Sequence, residues 1–175
     1  MPFTNPATIV DNQRLSMHQL NVALRDNMFA LKYPPFAHYN MAGHASDYST
    51  ASTSFTDVDA TNLALSVTTT GDGAGNPGDV MIGLCGTAYS SGAIRIYFQL
   101  LEDGVTINID GDGFFVSEGT GVRPVSFMFL RANASIGTHI YKLQWRVSSG
   151  TGVLLANAGT SGRDCKSQFW VREIS

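Results

Sequence analysis

Residues 139–147 read His-Ile-Tyr-Lys-Leu-Gln-Trp-Arg-Val, a stretch in which a bulky, mostly apolar side chain occupies every second position. Successive side chains of a β-strand point to opposite faces of the sheet, so a period of two places one set in the core and the other in water. Similar alternation marks further segments, at 63–67, 80–84, 94–100, 105–109 and 169–172. The pattern predicts a mainly β protein.

Stretches rich in glycine, serine and asparagine separate these segments and predict turns. They lie at 71–78, 90–92, 102–104, 134–137, 148–150 and 159–162. Eight to ten short strands at this spacing, with no second helix, are typical of an antiparallel β-sandwich or jelly roll. We therefore expect one such domain over residues 36–175.

The first 35 residues show a different period. Between Leu15 and Lys32 an apolar stripe recurs every three or four positions, which predicts an amphipathic helix. The stripe consists of Met17, Leu20, Leu24, Met28 and Leu31. Pro34 and Pro35 end it, because proline cannot continue a helix. A helix this short is marginal alone, so it packs either on its own β domain or in an assembly. We assign residues 1–35 to an N-terminal helical arm for assembly or attachment, with Leu20, Leu24 and Leu31 at an oligomer interface.

One predicted strand is apolar on both faces. In the segment 125–130, Val125, Phe127 and Phe129 fall on one side, and Met128 and Leu130 fall on the other. A strand of a two-layer sandwich normally has one solvated face. The second face is therefore covered by a loop or the N-terminal helix, or it meets another subunit. We predict that Met128 and Leu130 lie at a trimer interface.

The composition excludes several classes of function. Charged residues make up only 14% of the chain, whereas it has 16 Ser, 15 Thr and 18 Gly, and the net charge is −3. Nucleic-acid binding is disfavoured, because it requires the neutralisation of phosphates by a basic surface. No apolar run is long enough for a transmembrane helix, and the N-terminus has no basic region followed by an apolar stretch. We expect no membrane insertion and no signal peptide.

Charge is distributed unevenly along the chain. Residues 33–118 hold ten acids against one base, a net charge of −9, whereas residues 119–175 hold seven bases against two acids, a net charge of +5. Two explanations are open: strands from the two stretches interleave within one subunit, or an acidic face of one subunit meets a basic face of another.

The candidate chemical sites are weak. Asn108, Asp110 and Asp112 resemble the start of a calcium loop, but Glu118 falls one residue short of the bidentate position. The four histidines lack metal-site spacing, no Gly-x-Ser-x-Gly elbow exposes a nucleophile, and Cys85 and Cys165 form no recognisable motif. We expect no catalytic residues, no cofactor, no metal and two free thiols.

Several stretches taken together resemble a known group of proteins. They are Thr53–Leu63, Gly78–Gly83, Gly137–Arg146, Gly159–Gly162 and Gln168–Glu173. Over about residues 15–174 the chain is similar to phage- and prophage-encoded virion proteins of the tail-fibre-like kind. In these a helical N-terminal segment precedes a β-sandwich resembling C1q and tumour-necrosis-factor domains. The resemblance implies a trimeric, non-enzymatic part of a virus particle, with no catalytic residues to carry over.

Three functions follow from these observations. The first is a homotrimeric virion structural protein, attached to the tail or capsid through its arm, with a role in host adhesion or capsid decoration. Its partners would be copies of itself, other virion proteins and a host-surface glycan. The second is a soluble carbohydrate-binding jelly-roll module, in which Tyr89, Tyr97 or Trp170 would stack on sugar rings. The third is a hydrolase on the same fold.

Overall fold

The computed structural model describes residues 24, 34–44, 46–71, 75–107, 111–156 and 167–174. The alternating segments form strands there, as the sequence predicts. In chain order the elements are β1 (Phe36–Asn40), a 3-10 turn (Met41–Gly43), β2 (Tyr48–Thr50), β3 (Thr56–Asp57), β4 (Ala64–Thr69), β5 (Gly78–Glu102), β6 (Val105–Thr106), β7 (Phe115–Ala134), β8 (Gly137–Val147), β9 (Gly152–Leu154) and β10 (Gln168–Glu173).

The ten strands form one curled, antiparallel sheet, so the protein is mainly β. The central path runs β1-β10-β5-β8-β3, with β4 also paired to β8 and β7 paired to β5. Strand β1 pairs with β10 but also approaches β4, at the other side of the sheet, because the sheet curls over its apolar side. The predicted helical arm lies outside the described residues except for Leu24, Pro34 and Pro35, and its boundary with the β domain stays a prediction.

Strand β5 divides the sheet into two halves. Its residues 80–85 pair with β10, and its residues 96–102 pair with β8. Strand β7 runs along the opposite edge of β5 through both parts. We call the part built from β1, β10 and the adjoining ends of β5 and β7 the β10 half, and the part that contains β8, β3 and β4 the β8 half.

The predicted turn at residues 90–92 is wrong. Strand β5 continues through it for 25 residues, and the pairing with β7 merely changes register between Ser90 and Ile94. Serine and glycine there accommodate a bulge, which bends a strand without ending it. The predicted turn at 102–104 is confirmed: Asp103 and Gly104 have φ values of 51° and 84°, the two positive values that a type I′ hairpin turn requires.

The core lies between the two halves. Most alternate residues of β5 and β8 are buried there, including Phe98, Tyr141 and Trp145. Ion pairs join the acidic and basic stretches of the chain, among them Lys142 with Asp57 (3.2 Å) and Arg131 with Glu102 (2.8 Å). These pairs favour the explanation in which strands of opposite charge interleave within one subunit.

Arg123 lies beside the bend in β5 and β7. Its Nε donates to the Ser117 hydroxyl (2.8 Å), and its Nη1 donates to the Ser90 hydroxyl (2.9 Å) and the Gly119 carbonyl (2.8 Å). Burial lowers the pKa of the guanidinium, and its Nη2 is buried with no hydrogen-bond partner among the described residues. The side chain therefore connects both strands at the bend, at some cost in desolvation.

We predict that Arg123→Met destabilises the fold. Hydrogen bonds to charged groups contribute roughly 1.5–3 kcal/mol, and the buried Nη2 offsets part of that gain, so we expect a loss of about 1.5 kcal/mol in urea unfolding at fixed protein concentration. Arg95→Met is the matched control, because Arg95 forms an exposed surface pair with Glu118, and it should leave the midpoint nearly unchanged. Equal effects of the two substitutions would contradict the role given to Arg123.

Candidate functional site

The outer face of the β10 half carries large side chains that face away from the core. Strands β1, β10, β5 and β7 lie side by side here, and their alternate residues project outward. We call this surface the apolar face and define it by Phe36, His38, Met81, Cys85, Met128, Leu130 and Trp170, with Arg172 as its charged member.

The register brings these residues from distant parts of the sequence into rows. Leu130 lies opposite Met81, and Met128 lies opposite Gly83. On the other side of β5, Gly83 lies opposite Trp170. A Cβ atom at position 83 would lie 2.3 Å from the Trp170 ring, so the indole lies flat across the strand only because residue 83 is glycine. The apolar face is flat at its centre as a result.

The strand pattern predicted at 125–130 is confirmed. Val125 and Phe127 are buried, whereas Met128 is 72% exposed and Leu130 is 52% exposed. Phe36, at the opposite edge of the apolar face, is 55% exposed. Contiguous exposed apolar surface on a soluble protein commonly marks an interaction site. The assignment of Met128 and Leu130 to a trimer interface stays a prediction.

The other predicted interface residues lie in the N-terminal arm. Leu24 is described and is 54% exposed. Leu20 and Leu31 lie outside the described residues.

A second cluster, at the end of the β8 half, resembles a hydrolytic triad. His139 Nδ1 lies 2.8 Å from the Asp103 carboxylate, and its Nε2 lies 3.2 Å from the Ser135 hydroxyl. These residues come from the β5–β6 turn, the β7–β8 turn and β8, and no sequence motif connects them. The sequence predicted only that His139 faces inward, and it is 8% exposed.

Each ring nitrogen of His139 lies at hydrogen-bond distance from an acceptor oxygen. Nε2 also lies 2.8 Å from the Ser135 backbone carbonyl. A carbonyl oxygen accepts hydrogen bonds and cannot donate one. Nδ1 meets a carboxylate, which also accepts. When both ring nitrogens carry protons, they donate to these two acceptors, and the ring cannot then take a proton from Ser135. In that protonation state the cluster is an ionic connection between two turns.

Neighbouring charges reinforce this protonation state. Burial lowers the pKa of His139, but the hydrogen bonds to Asp103 and the Ser135 carbonyl outweigh it, and the net pKa is raised. A hydrogen bond donated by the Ile140 N–H lowers the pKa of Asp103.

Glu102 also faces the His139 ring, at 3.8 Å, and its carboxylate accepts hydrogen bonds from Arg131 and Tyr141. Burial, followed by the bond to Glu102, raises the pKa of Tyr141.

The predicted calcium loop is only partly described. Asp112 accepts a 2.7 Å hydrogen bond from Arg146 Nη2, so a guanidinium already neutralises its charge. Asn108 and Asp110 lie outside the described residues, as does Cys165, while Cys85 is a free, exposed thiol. Across the described part of the chain, no three His, Cys, Asp or Glu side chains group as a metal site.

The aromatic residues named for sugar stacking occupy different settings. Trp170 lies across Gly83 in the apolar face, and Tyr89 is half-buried on β5. One face of the Tyr97 ring is covered by the Arg146 guanidinium, 4.0 Å from the ring centroid. Glycine within a strand often marks a place where another group approaches the backbone closely, so Gly83 is a sequence signal for the contact with Trp170. The stacking of Arg146 on Tyr97 has no such signal, because it depends on the register between β5 and β8.

No family model matches the sequence, and a search of curated proteins found no match. The resemblance to virion proteins therefore remains an interpretation of the sequence patterns alone.

Within the described ranges, no helix has the length and apolar character needed to cross a membrane.

We predict that the His139 cluster makes stability depend on pH. The pKa of His139 is higher in the folded chain than the unfolded value of about 6.5, so its contribution is fully present below pH 6.5 and is lost as pH rises through the folded-state pKa. The free energy of unfolding of the wild-type protein should fall across that range. The free energy of unfolding of the His139→Phe variant should fall less over the same range. Asp103→Asn removes the partner anion and should flatten the same profile. Parallel profiles for all three proteins would contradict the ionic role of His139.

Proposed function

We propose that this chain is a non-enzymatic structural protein of a bacteriophage virion that assembles as a homotrimer through its apolar face. Its two sheet halves would pack as a jelly-roll-like β-sandwich, and the N-terminal arm would attach the trimer to the tail or capsid. The observation that carries the proposal is the exposure of Met128, Leu130 and Phe36 on one sheet face. The sequence resemblance supplies the virion context.

The composition makes this exposure unusual. The chain is rich in Ser, Thr and Gly, yet large apolar side chains gather on the outer side of four adjacent strands. Burying each contributes roughly 1.5–3 kcal/mol, so two or three per subunit provide a substantial driving force for association. A second copy of the chain suits this surface, because every copy presents the same one.

The positions of the side chains support a ring-like arrangement. Met128 and Leu130 lie on β7, which pairs only with β5 among the described strands. Phe36 and His38 lie on β1, at the opposite edge of the same face, and their rings stack at 5.2 Å. Contact between the β7 edge of one subunit and the β1 edge of the next is heterologous, and such contacts close into rings when the rotation permits. A ring of three subunits agrees with the trimer that the resemblance to virion proteins implies.

The non-enzymatic part of the proposal rests on the His139 cluster. The described residues that most resemble a catalytic triad hold the His139 ring between two acceptors, the Asp103 carboxylate and the Ser135 carbonyl. This arrangement favours a structural role for Ser135, His139 and Asp103 over that of a hydrolase.

We predict that Leu130→Asp converts the trimer to a monomer with an unchanged β-type circular dichroism spectrum. A charge introduced at the contact would lose its hydration on assembly, which costs free energy. Light scattering coupled to size exclusion gives the mass of each species.

The matched control is Val122→Asp, because Val122 lies on the same strand, projects to the same side and is 53% exposed, but it lies near the bend and outside the apolar face. It should remain trimeric. A monomeric wild-type protein would contradict the assembly proposal and favour the carbohydrate-binding alternative. Dissociation of both variants, or of neither, would contradict the location of the interface.

A further inference from the structure

An open groove crosses the outer side of the β8 half, away from the apolar face. It encloses about 380 Å³ and is lined by Arg95 and Tyr97 of β5, residues 112–115, and Val116 and Glu118 of β7. The register places Arg95 opposite Glu118 and Tyr97 opposite Val116. The floor of the groove is therefore two pairs of cross-strand neighbours, fixed by the longest strand pairing in the protein.

The charges around the groove are balanced. Arg95 Nε donates to Glu118 at 2.9 Å, and Arg146 Nη2 donates to Asp112 at 2.7 Å. Among the described residues around the groove, two guanidinium and two carboxylate groups sum to zero, so these residues favour neither an anion nor a cation. Each planar group has several donor or acceptor positions, and the Arg95 and Glu118 side chains are 53% and 61% exposed. They can bind a ligand that offers donors and acceptors together.

Tyr97 supplies an ordered apolar surface beside these groups. The Arg146 guanidinium covers one face of the ring, 4.0 Å from its centroid, and the same guanidinium lies 5.2 Å from the centroid of the Phe55 ring. A ring held in this way loses little side-chain freedom when a ligand binds, which lowers the entropic cost of binding. Val116, which is 48% exposed, lies beside it.

We infer that this groove binds a neutral saccharide. Vicinal hydroxyls can accept hydrogen bonds from the Arg95 guanidinium and donate hydrogen bonds to the Glu118 carboxylate. The C–H face of a pyranose ring can pack against the apolar surface of Tyr97 and Val116. The volume lies near the lower end of the range for small-ligand sites, roughly 300–1,000 Å³, so one or two sugar units would fit. The inference depends on the groove alone and does not require the proposed trimer.

The test uses the full chain on an array of neutral oligosaccharides with terminal glucose, galactose or mannose. Retained oligosaccharides are then titrated by calorimetry. We expect at least one to bind, and we expect Glu118→Gln and Tyr97→Ala each to weaken its affinity at least tenfold. Glu118→Gln preserves shape at an exposed position, so it reports on the groove even if Tyr97→Ala fails to fold.

Val122→Ala is the control, since Val122 is an exposed apolar residue of β7 that does not line the groove, and it should bind as the wild type does. The inference is overturned if the array retains no neutral oligosaccharide, or if Glu118→Gln binds the retained one with unchanged affinity. Leu130→Asp separates the two proposals, because it should alter the mass of the particle and leave the affinity per subunit unchanged.

Discussion

The pairing of β5 with β7 is the interaction on which the rest of the structure depends. These strands of 25 and 20 residues remain neighbours through both sheet halves. On the other edge of β5, β10, β9 and β8 pair with successive portions of the same strand. A break in the β5–β7 ladder would therefore separate the halves that enclose the core. At the bend, where backbone pairing between the two strands is interrupted, Arg123 of β7 donates hydrogen bonds to residues of both β5 and β7.

The same pairing produces both candidate surfaces. Because side chains alternate along a strand, the residues of β5 and β7 that do not face the core form an outer row over the whole length of the ladder. In the β10 half this row is apolar and includes Met81, Met128 and Leu130. In the β8 half it is polar and includes Arg95 and Glu118. One ladder thus carries a surface suited to association with another subunit and a surface suited to a hydroxyl-rich ligand.

Much of the fold and part of the apolar face could be predicted from local patterns, whereas the His139 cluster and the stacking of Arg146 on Tyr97 could not. Alternation correctly assigned Val125 and Phe127 to the core and Met128 and Leu130 to the outside, because a period of two depends only on neighbours in sequence. The turn expected at residues 90–92 was wrong, because serine and glycine mark bulges as well as turns. The approach of Asp103 to His139, and of Arg146 to Tyr97, depends on register between distant strands, which composition and spacing do not encode. The chemistry of those clusters was therefore visible only in three dimensions.

The central claim, that the apolar face is buried between copies of the chain, can be tested through a native thiol. Cys85 is exposed on that face, and Cys165→Ser would leave it as the only cysteine. The measurement is the rate at which Cys85 reacts with a water-soluble disulfide reagent in the native protein and in the urea-unfolded chain. Burial between subunits predicts a much slower reaction in the native protein. Comparable rates in the two states would contradict the account.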